Sequence, residues 1–254
     1  MKETYPILEF DQNRKAILEP SEIINEMDVP KKAVICFFND VLKRLEKEGV
    51  LRPIYDIRSE IGSNPLYVLE HEGEELLVFH PGVGAPLAVG FMEEVIALGA
   101  RSFIACGGAG VLDKTIQVGH LVVPTSAVRD EGTSYHYIAP SREIKINEYA
   151  VSVIEKVLKR QNVNYLLGKT WTTDGIYRET KDKVALRKSE GCIMVEMECS
   201  AFAALSEYRD VVFGQILYGG DSVDSEGWDE RGWNDKTDIR EKLFWLTVSV
   251  CKEL

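Results

Sequence analysis

A chain of 254 residues with 45% hydrophobic and 28% charged side chains is long enough for one large domain with a substantial core, and no apolar run approaches the ~20 residues of a membrane-spanning helix. The formal net charge of -11 argues against nucleic-acid and anionic-membrane partners, which need clustered Lys and Arg. Five cysteines without a C-x-x-C pair and four histidines without ligand spacing argue against a disulfide framework and against any bound metal. The opening MKETYPILEFDQNRK lacks the uninterrupted apolar stretch of a signal peptide, so a cytoplasmic protein is expected.

Residues 1–30 show weak periodicity and carry Pro20 and Pro30, which reads as an extended arm on a single domain that spans 1–254. The run 33–38 (AVICFF) predicts a buried strand, and 41–48 a helix stopped by Gly49. Runs 65–70 and 75–80 flank His71-Glu72-Gly73-Glu74 as a hairpin. Leu87, Phe91, Val95 and Leu98 recur at helical spacing between Pro86 and Gly99, giving a helix over 86–98. Strands over 103–107, 120–123 and 126–129 follow, then an amphipathic helix marked by Ala150, Ile154, Val157 and Leu158. A strand over 165–172, a charged helix over 179–189, a short strand over 192–195 and an Ala-rich helix over 198–208 come next. A long buried strand over 211–218 and an amphipathic helix through Ile239, Leu243, Leu246 and Val250 close the chain. Alternating strands and helices predict an α/β fold: a three-layer α/β/α sandwich around a mixed, largely parallel sheet that places ligands at the carboxyl ends of its strands.

Two glycine-rich segments stand out. In Phe103-Ile104-Ala105-Cys106-Gly107-Gly108-Ala109-Gly110-Val111-Leu112 a buried strand is expected to end in a turn whose backbone a ligand can approach. Cys106 beside it reads as a small buried filler, since apolar surroundings raise a thiol's pKa. In His80-Pro81-Gly82-Val83-Gly84-Ala85-Pro86 a dinucleotide fingerprint fails, because Leu87 takes the third glycine position and no acid lies between Glu94 and Asp113. That leaves a plain tight turn or a cradle for a small anion at a helix N-terminus, formed by Gly82 and Gly84.

Six segments in order, HPGVGAPLAVGFMEEVIALGA, RSFIACGGAGVL, GHLVVPTSAVRDEGTSYHY, WTTDGIY, MVEMECSAFAAL and ILYGGDS, resemble the nucleoside phosphorylase-I family, the purine nucleoside and uridine phosphorylases, from about residue 75 to 225. The resemblance implies cleavage of an N-glycosidic bond. Glu198 would accept hydrogen bonds from the ribose 2′- and 3′-hydroxyls, Met197 would pack on the sugar, and Glu196 lies beside them. Asp221 would be the general acid that protonates a purine, as a carboxyl in a partly dry pocket can. Ala109, Gly110, Thr173, Asp174, Ile176, Tyr177 and Arg178 would form the base pocket. The bland alternatives are a helix-terminal acid for Glu198 and a capping aspartate for Asp221.

The pattern also departs from the family. Asn39-Asp40-Val41-Leu42-Lys43-Arg44 replaces the phosphate-binding G-D-P-x-R loop, and the family's next phosphate-binding Arg and hydroxyl fall on Ala105 and Gly108, so the resemblance leaves Gly82, Gly84 and Gly108 to hold phosphate or water. No His precedes His71 to reach a ribose 5′-hydroxyl, and Gly107-Gly108-Ala109-Gly110 approaches the Gly-Ser-Ala-Gly of the related nucleosidases. The expected activity is phosphorolysis of a purine nucleoside, with inorganic phosphate as co-substrate, no cofactor, and a homo-oligomeric assembly, dimer or hexamer. A nucleosidase that uses water, a uridine phosphorylase and a non-catalytic nucleoside-binding protein remain open. The stretch Trp228–Trp233 reads equally as a lid or a surface turn, and 129–136 as a loop without chemistry.

Overall fold

The structure, a computed structural model, describes residues 2–224, 227–233 and 236–254. Its elements run α1 (Pro20–Ile23), β1 (Lys32–Cys36), α2 (Asn39–Lys47), β2 (Leu51–Ser59), β3 (Gly62–His71), β4 (Glu74–Phe79), α3 (Ala85–Leu98), β5 (Ser102–Val111) and β6 (Leu121–Asp130). They continue with β7 (Glu143–Lys145), α4 (Glu148–Arg160), β8 (Tyr165–Thr173), α5 (Lys181–Ser189), β9 (Cys192–Glu196), α6 (Cys199–Arg209), β10 (Val212–Ser222) and α7 (Thr237–Cys251). Among the described residues no helix is long and apolar enough to cross a membrane.

The strands form one mixed sheet in the order β10-β6-β8-β9-β5-β1-β4-β3-β2, with β7 beside β6. Strand β10 also pairs with β5, so β5, β10, β6, β8 and β9 close into a ring, and β1, β4, β3 and β2 extend from it as an open wing. Alternation along β5 sends Phe103 and Ala105 to the core under α3 and α6, and Ile104 and Cys106 to the core under α2, α4 and α7. Helices on both faces give the expected three layers. All five cysteines are buried and free.

Local signals explain most boundaries. Pro occupies the first turn of α3, and Gly84 and Gly99 flank it at φ 91° and 134°. Asn147 caps α4 by accepting from the Ala150 amide, and Thr180 caps α5 by accepting from Lys183. The arm is fastened to α3 and α6 through Arg209, which bonds Glu93 at 2.8 and 3.0 Å and Glu19 at 3.2 Å.

Three expectations need correction. Strands β2 and β7 have no counterpart in the sequence reading, because β2 buries little beyond Leu51 and Ile57 and carries no clean alternation. The two runs 120–123 and 126–129 are a single strand, β6, with an irregularity where Pro124 cannot donate to the ladder. Finally, Gly107-Gly108-Ala109-Gly110 is not a turn: β5 continues through it, with Gly107, Gly108 and Ala109 opposite Leu217, Tyr218 and Gly219 of β10, and Gly110 opposite Val195 of β9.

The physical reason for the small residues is crowding. A Cβ at Gly107 would lie 3.2 Å from the Phe37 ring, at Gly108 3.1 Å from the Tyr218 ring, and at Gly110 3.0 Å from Val195 Cγ1. The run is the seam at which the ring of strands closes. Gly108→Ala should therefore lower stability by about 1–3 kcal/mol through overpacking against fully buried Tyr218, a fall in Tm of roughly 2–4 °C per kcal/mol. Thermal unfolding measures it, and an unchanged Tm would show that the ring can yield.

Candidate active site

The site begins at the joint between β9 and α6. The first amides of a helix lack intrahelical acceptors, and Glu196 supplies them: its Oε2 accepts from the Glu198 amide at 2.8 Å and the Cys199 amide at 2.6 Å. Its Oε1 accepts from Thr172 Oγ1 at 2.6 Å and Thr170 Oγ1 at 3.3 Å, both on β8. Burial raises the Glu196 carboxyl above its ordinary value, against the pull of these donors. A carboxylate accepting at all four lone-pair sites has nowhere to keep a proton, so we take Glu196 as ionised. It lines the cavity but has no oxygen left for a ribose hydroxyl.

Glu198, one step past Met197, turns the other way. Its Oε1 accepts the Gly84 amide at 2.6 Å, an amide aimed by the positive φ of Gly84 just before α3. The residue is 5% exposed and makes no capping bond to its own helix. The terminal-acid role that Glu198 could have played is taken by Glu196. Burial first, then the neighbouring Glu196 charge, push the Glu198 carboxyl up to about 8, against the pull of the Gly84 amide.

These residues wall a cavity of about 300 Å³ at the carboxyl ends of β5, β9 and β10. Of the sequence candidates it gathers Gly108, Ala109, Gly110, Ile176, Glu196, Met197, Glu198 and Asp221. Gly82 and Gly84 stay outside it, and Val83 is the residue their turn contributes. Their amides are engaged, Gly82 with His80 Nδ1 at 3.0 Å and Gly84 with Glu198, so they do not form an open cradle. Thr173, Asp174, Tyr177 and Arg178 also fall outside. Thr173 Oγ1 accepts from Gly175, Asp174 accepts from Gly132 at 2.9 Å, and Arg178 sits in the turn that presents Ile176. Tyr177 belongs to a second, outer cavity of about 730 Å³ that meets the first at Ile176, Glu179, Asp221 and Trp233. A third cavity, of about 680 Å³ between α4 and α7, holds none of the candidate residues.

Asp221 stands at the junction of the inner and outer cavities, where its Oδ2 accepts from Trp228 Nε1 at 2.9 Å. Backbone bonds between Ser222 and Asp229, at 2.8 and 2.9 Å, fold the tryptophan stretch back on the end of β10. Trp233 lines the inner cavity while Trp228 is 67% exposed, so the stretch acts as a rim and not as a remote surface turn.

Sequence reasoning missed three cavity residues. Glu179 looks like an ordinary acid before a helix, yet burial and the charge of Asp221 push it up to about 7. Arg240 lies on α7, with its Nε donating to Tyr218 Oη at 3.4 Å, its Nη1 to Asp40 at 3.3 Å, and its plane near Phe38 and Trp233. Gln215 is the one amide inside the apolar run Val212–Leu217, and a lone polar residue in a buried strand is the signal that could have found it.

Comparison with known proteins agrees with this geometry. The sequence profile of the phosphorylase superfamily matches residues 31–242, most of the chain. The chain belongs to the phosphorylase superfamily. It is 26% identical over 190 residues to a guanosine phosphorylase of Halorubrum lacusprofundi, covering 72% of this chain and 78% of that protein. In fold it is similar to a uridine phosphorylase from Vibrio fischeri, with a TM-score of 0.74 at 21% identity over 91% of this chain and 95% of that one. It is also similar to an AMP nucleosidase from Bacteroides thetaiotaomicron, with a TM-score of 0.73 at 18% identity over 92% and 96%. Superfamily membership supports a glycosyltransferase-type enzyme.

Glu198 leaves a measurable mark on stability. Its carboxyl holds a proton more tightly folded, at about 8, than at its ordinary 4.5, so between those values the folded chain binds more protons and stability falls as pH rises. Glu198→Gln should melt several degrees above the parent at pH 8, with the difference shrinking toward pH 5. A lower Tm for the variant at pH 8 would show that the bond to Gly84 outweighs the cost of burying the charge.

Proposed function

We propose that this superfamily member cleaves the N-glycosidic bond of a purine nucleoside, with water as the nucleophile. Glu198 and Met197 hold the ribose, and Asp221 protonates the departing base. The observation that carries the reading is the meeting, in one cavity of about 300 Å³, of a buried carboxyl beside Met197 and a second carboxyl at the mouth of the outer cavity. Breaking the C–N bond builds positive charge on the ribosyl carbon and negative charge on the base, so a proton donor at the base end is the group the step requires. Asp221 meets that need for a ring nitrogen of a purine, and Glu179 beside it adds a second acid.

Water is favoured by the scarcity of cationic groups in the cavity. Among the described residues the inner cavity is lined by Glu179, Glu196, Glu198 and Asp221 against a single guanidinium, Arg240, which is already bonded to Asp40 and Tyr218. With protons held on Glu198 and on the general acid, and Glu196 ionised, that one guanidinium is all the positive charge the cavity lining offers a phosphate dianion. Phosphorolysis is the second reading, supported by the likeness to a guanosine phosphorylase. A homo-oligomer, dimer or hexamer, goes with either reading, and exposed Ile17, Leu18 and Ile23 on the arm offer apolar contacts to a second copy.

Incubation with inosine, guanosine, adenosine and uridine, with and without phosphate, tests this. Free purine and ribose should appear at a rate independent of phosphate. Release of ribose 1-phosphate only when phosphate is present would select phosphorolysis, and cleavage of uridine alone would overturn the purine assignment. Asp221→Asn should slow purine release by roughly 10²-fold or more, the usual scale of general acid catalysis.

A further inference from the structure

We propose that Gln215 is the residue that positions the attacking water, an inference that rests on the hydrolytic reading above. Gln215 lies in the middle of β10, is 1% exposed, and lines the inner cavity. Its Oε1 is buried without a hydrogen-bond partner among the described residues. Buried amide oxygens are almost always paired, and one that is not, facing a cavity, is built to meet a donor that enters with solvent or substrate. The strand neighbour in register is Ala105, which has no polar side chain to pair with the amide.

Strand β10 also fixes where the amide lies. Phe213, Gln215 and Leu217 fall on alternate positions of β10, and Asp221 lies six residues beyond Gln215, past the irregularity that follows Gly219. With the base at the Asp221 end, the attacking atom must approach the anomeric carbon from the far side, toward Gln215. Met197 and Glu198 line the same cavity.

The chemistry suits a neutral nucleophile. The amide oxygen accepts one O–H of water and leaves an oxygen lone pair for the ribosyl carbon. A new C–O bond forms as the C–N bond breaks, the bonding pair goes to the base, and the base takes the Asp221 proton. The proton shed by the attacking water passes to solvent, from which Asp221 is reprotonated. A hydrogen phosphate dianion has one O–H to give that oxygen but needs donors for its charged oxygens, and an amide turned to offer its NH2 would supply one neutral donor in place of a guanidinium clamp.

The test compares the wild type with Gln215→Met, which keeps the length and removes the acceptor, and Gln215→Glu, which restores an acceptor when ionised. The Met variant should lose roughly 10- to 100-fold in kcat, the scale of a lost positioning contact, with KM for the nucleoside and Tm little changed. The Glu variant should recover hydrolysis as pH rises, where the Met variant does not. In a crystal of the wild type an ordered water should lie within hydrogen-bond distance of the Gln215 amide and be absent from the Met variant. Wild-type hydrolysis with an unchanged kcat in the Met variant, at equal Tm, overturns the role of Gln215 alone. Cleavage by the wild type only in the presence of phosphate overturns the hydrolytic reading first and the Gln215 role with it.

Discussion

The arrangement of the site depends on one carboxylate, Glu196, and on the four donors that surround it. Thr170 and Thr172 bring β8 to it, and the amides of Glu198 and Cys199 bring the start of α6. A helix that begins under a sheet must find acceptors for its first amides, and a buried carboxylate must find donors. Each satisfies the other here. The joint is reinforced one residue further along, where Ser200 donates to Glu131 Oε1 at 2.9 Å while the Ser134 amide donates to Glu131 Oε2 at the same distance. The loop at 129–136 thereby braces the helix that carries Glu198. Arg129 in turn fixes the loop through Ser134, Ala139 and Ser141.

Closure of the strand ring sets the second constraint. Because β10 pairs with β5 on one side and β6 on the other, the glycines of β5 must admit Tyr218, Phe37 and Val195 at near-contact distances. A larger residue at Gly108 would push Tyr218, on the strand that carries both Gln215 and Asp221. The glycine run therefore serves the cavity by letting strands close.

Periodicity made the helices legible: α3 and α4 carry their apolar spacing and their caps in consecutive residues. Contiguous parts of the site were legible for the same reason, since Glu196, Met197 and Glu198 stand together in the chain. What was not legible depends on partners distant in sequence. Nothing in GGAG says that Tyr218 and Val195 press on it, so a turn was the natural reading of four small residues. Helix α6 ends at Asp210 in a left-handed conformation, φ 55°, with no glycine to announce it. Arg240 reaches the cavity from α7, and its place depends on Tyr218 and Asp40. Glu179 differs from other surface acids only through burial and the nearness of Asp221.

The two adjacent acids, Glu196 and Glu198, divide the labour of a buried charge. One is surrounded by donors and ionised, and its charge, added to burial, holds the proton on the other. On the proposed reading this makes the site a poor home for a second anion and a good one for a pair of hydroxyl donors. Two ribose hydroxyls delivered to Glu198 would do for it what Thr170 and Thr172 already do for Glu196: supply hydrogen bonds that favour the ionised form and bring its pKa down. Recognition of the sugar and release of the Glu198 proton are then one event, driven by the same shortage of donors that the folded chain tolerates until the sugar arrives.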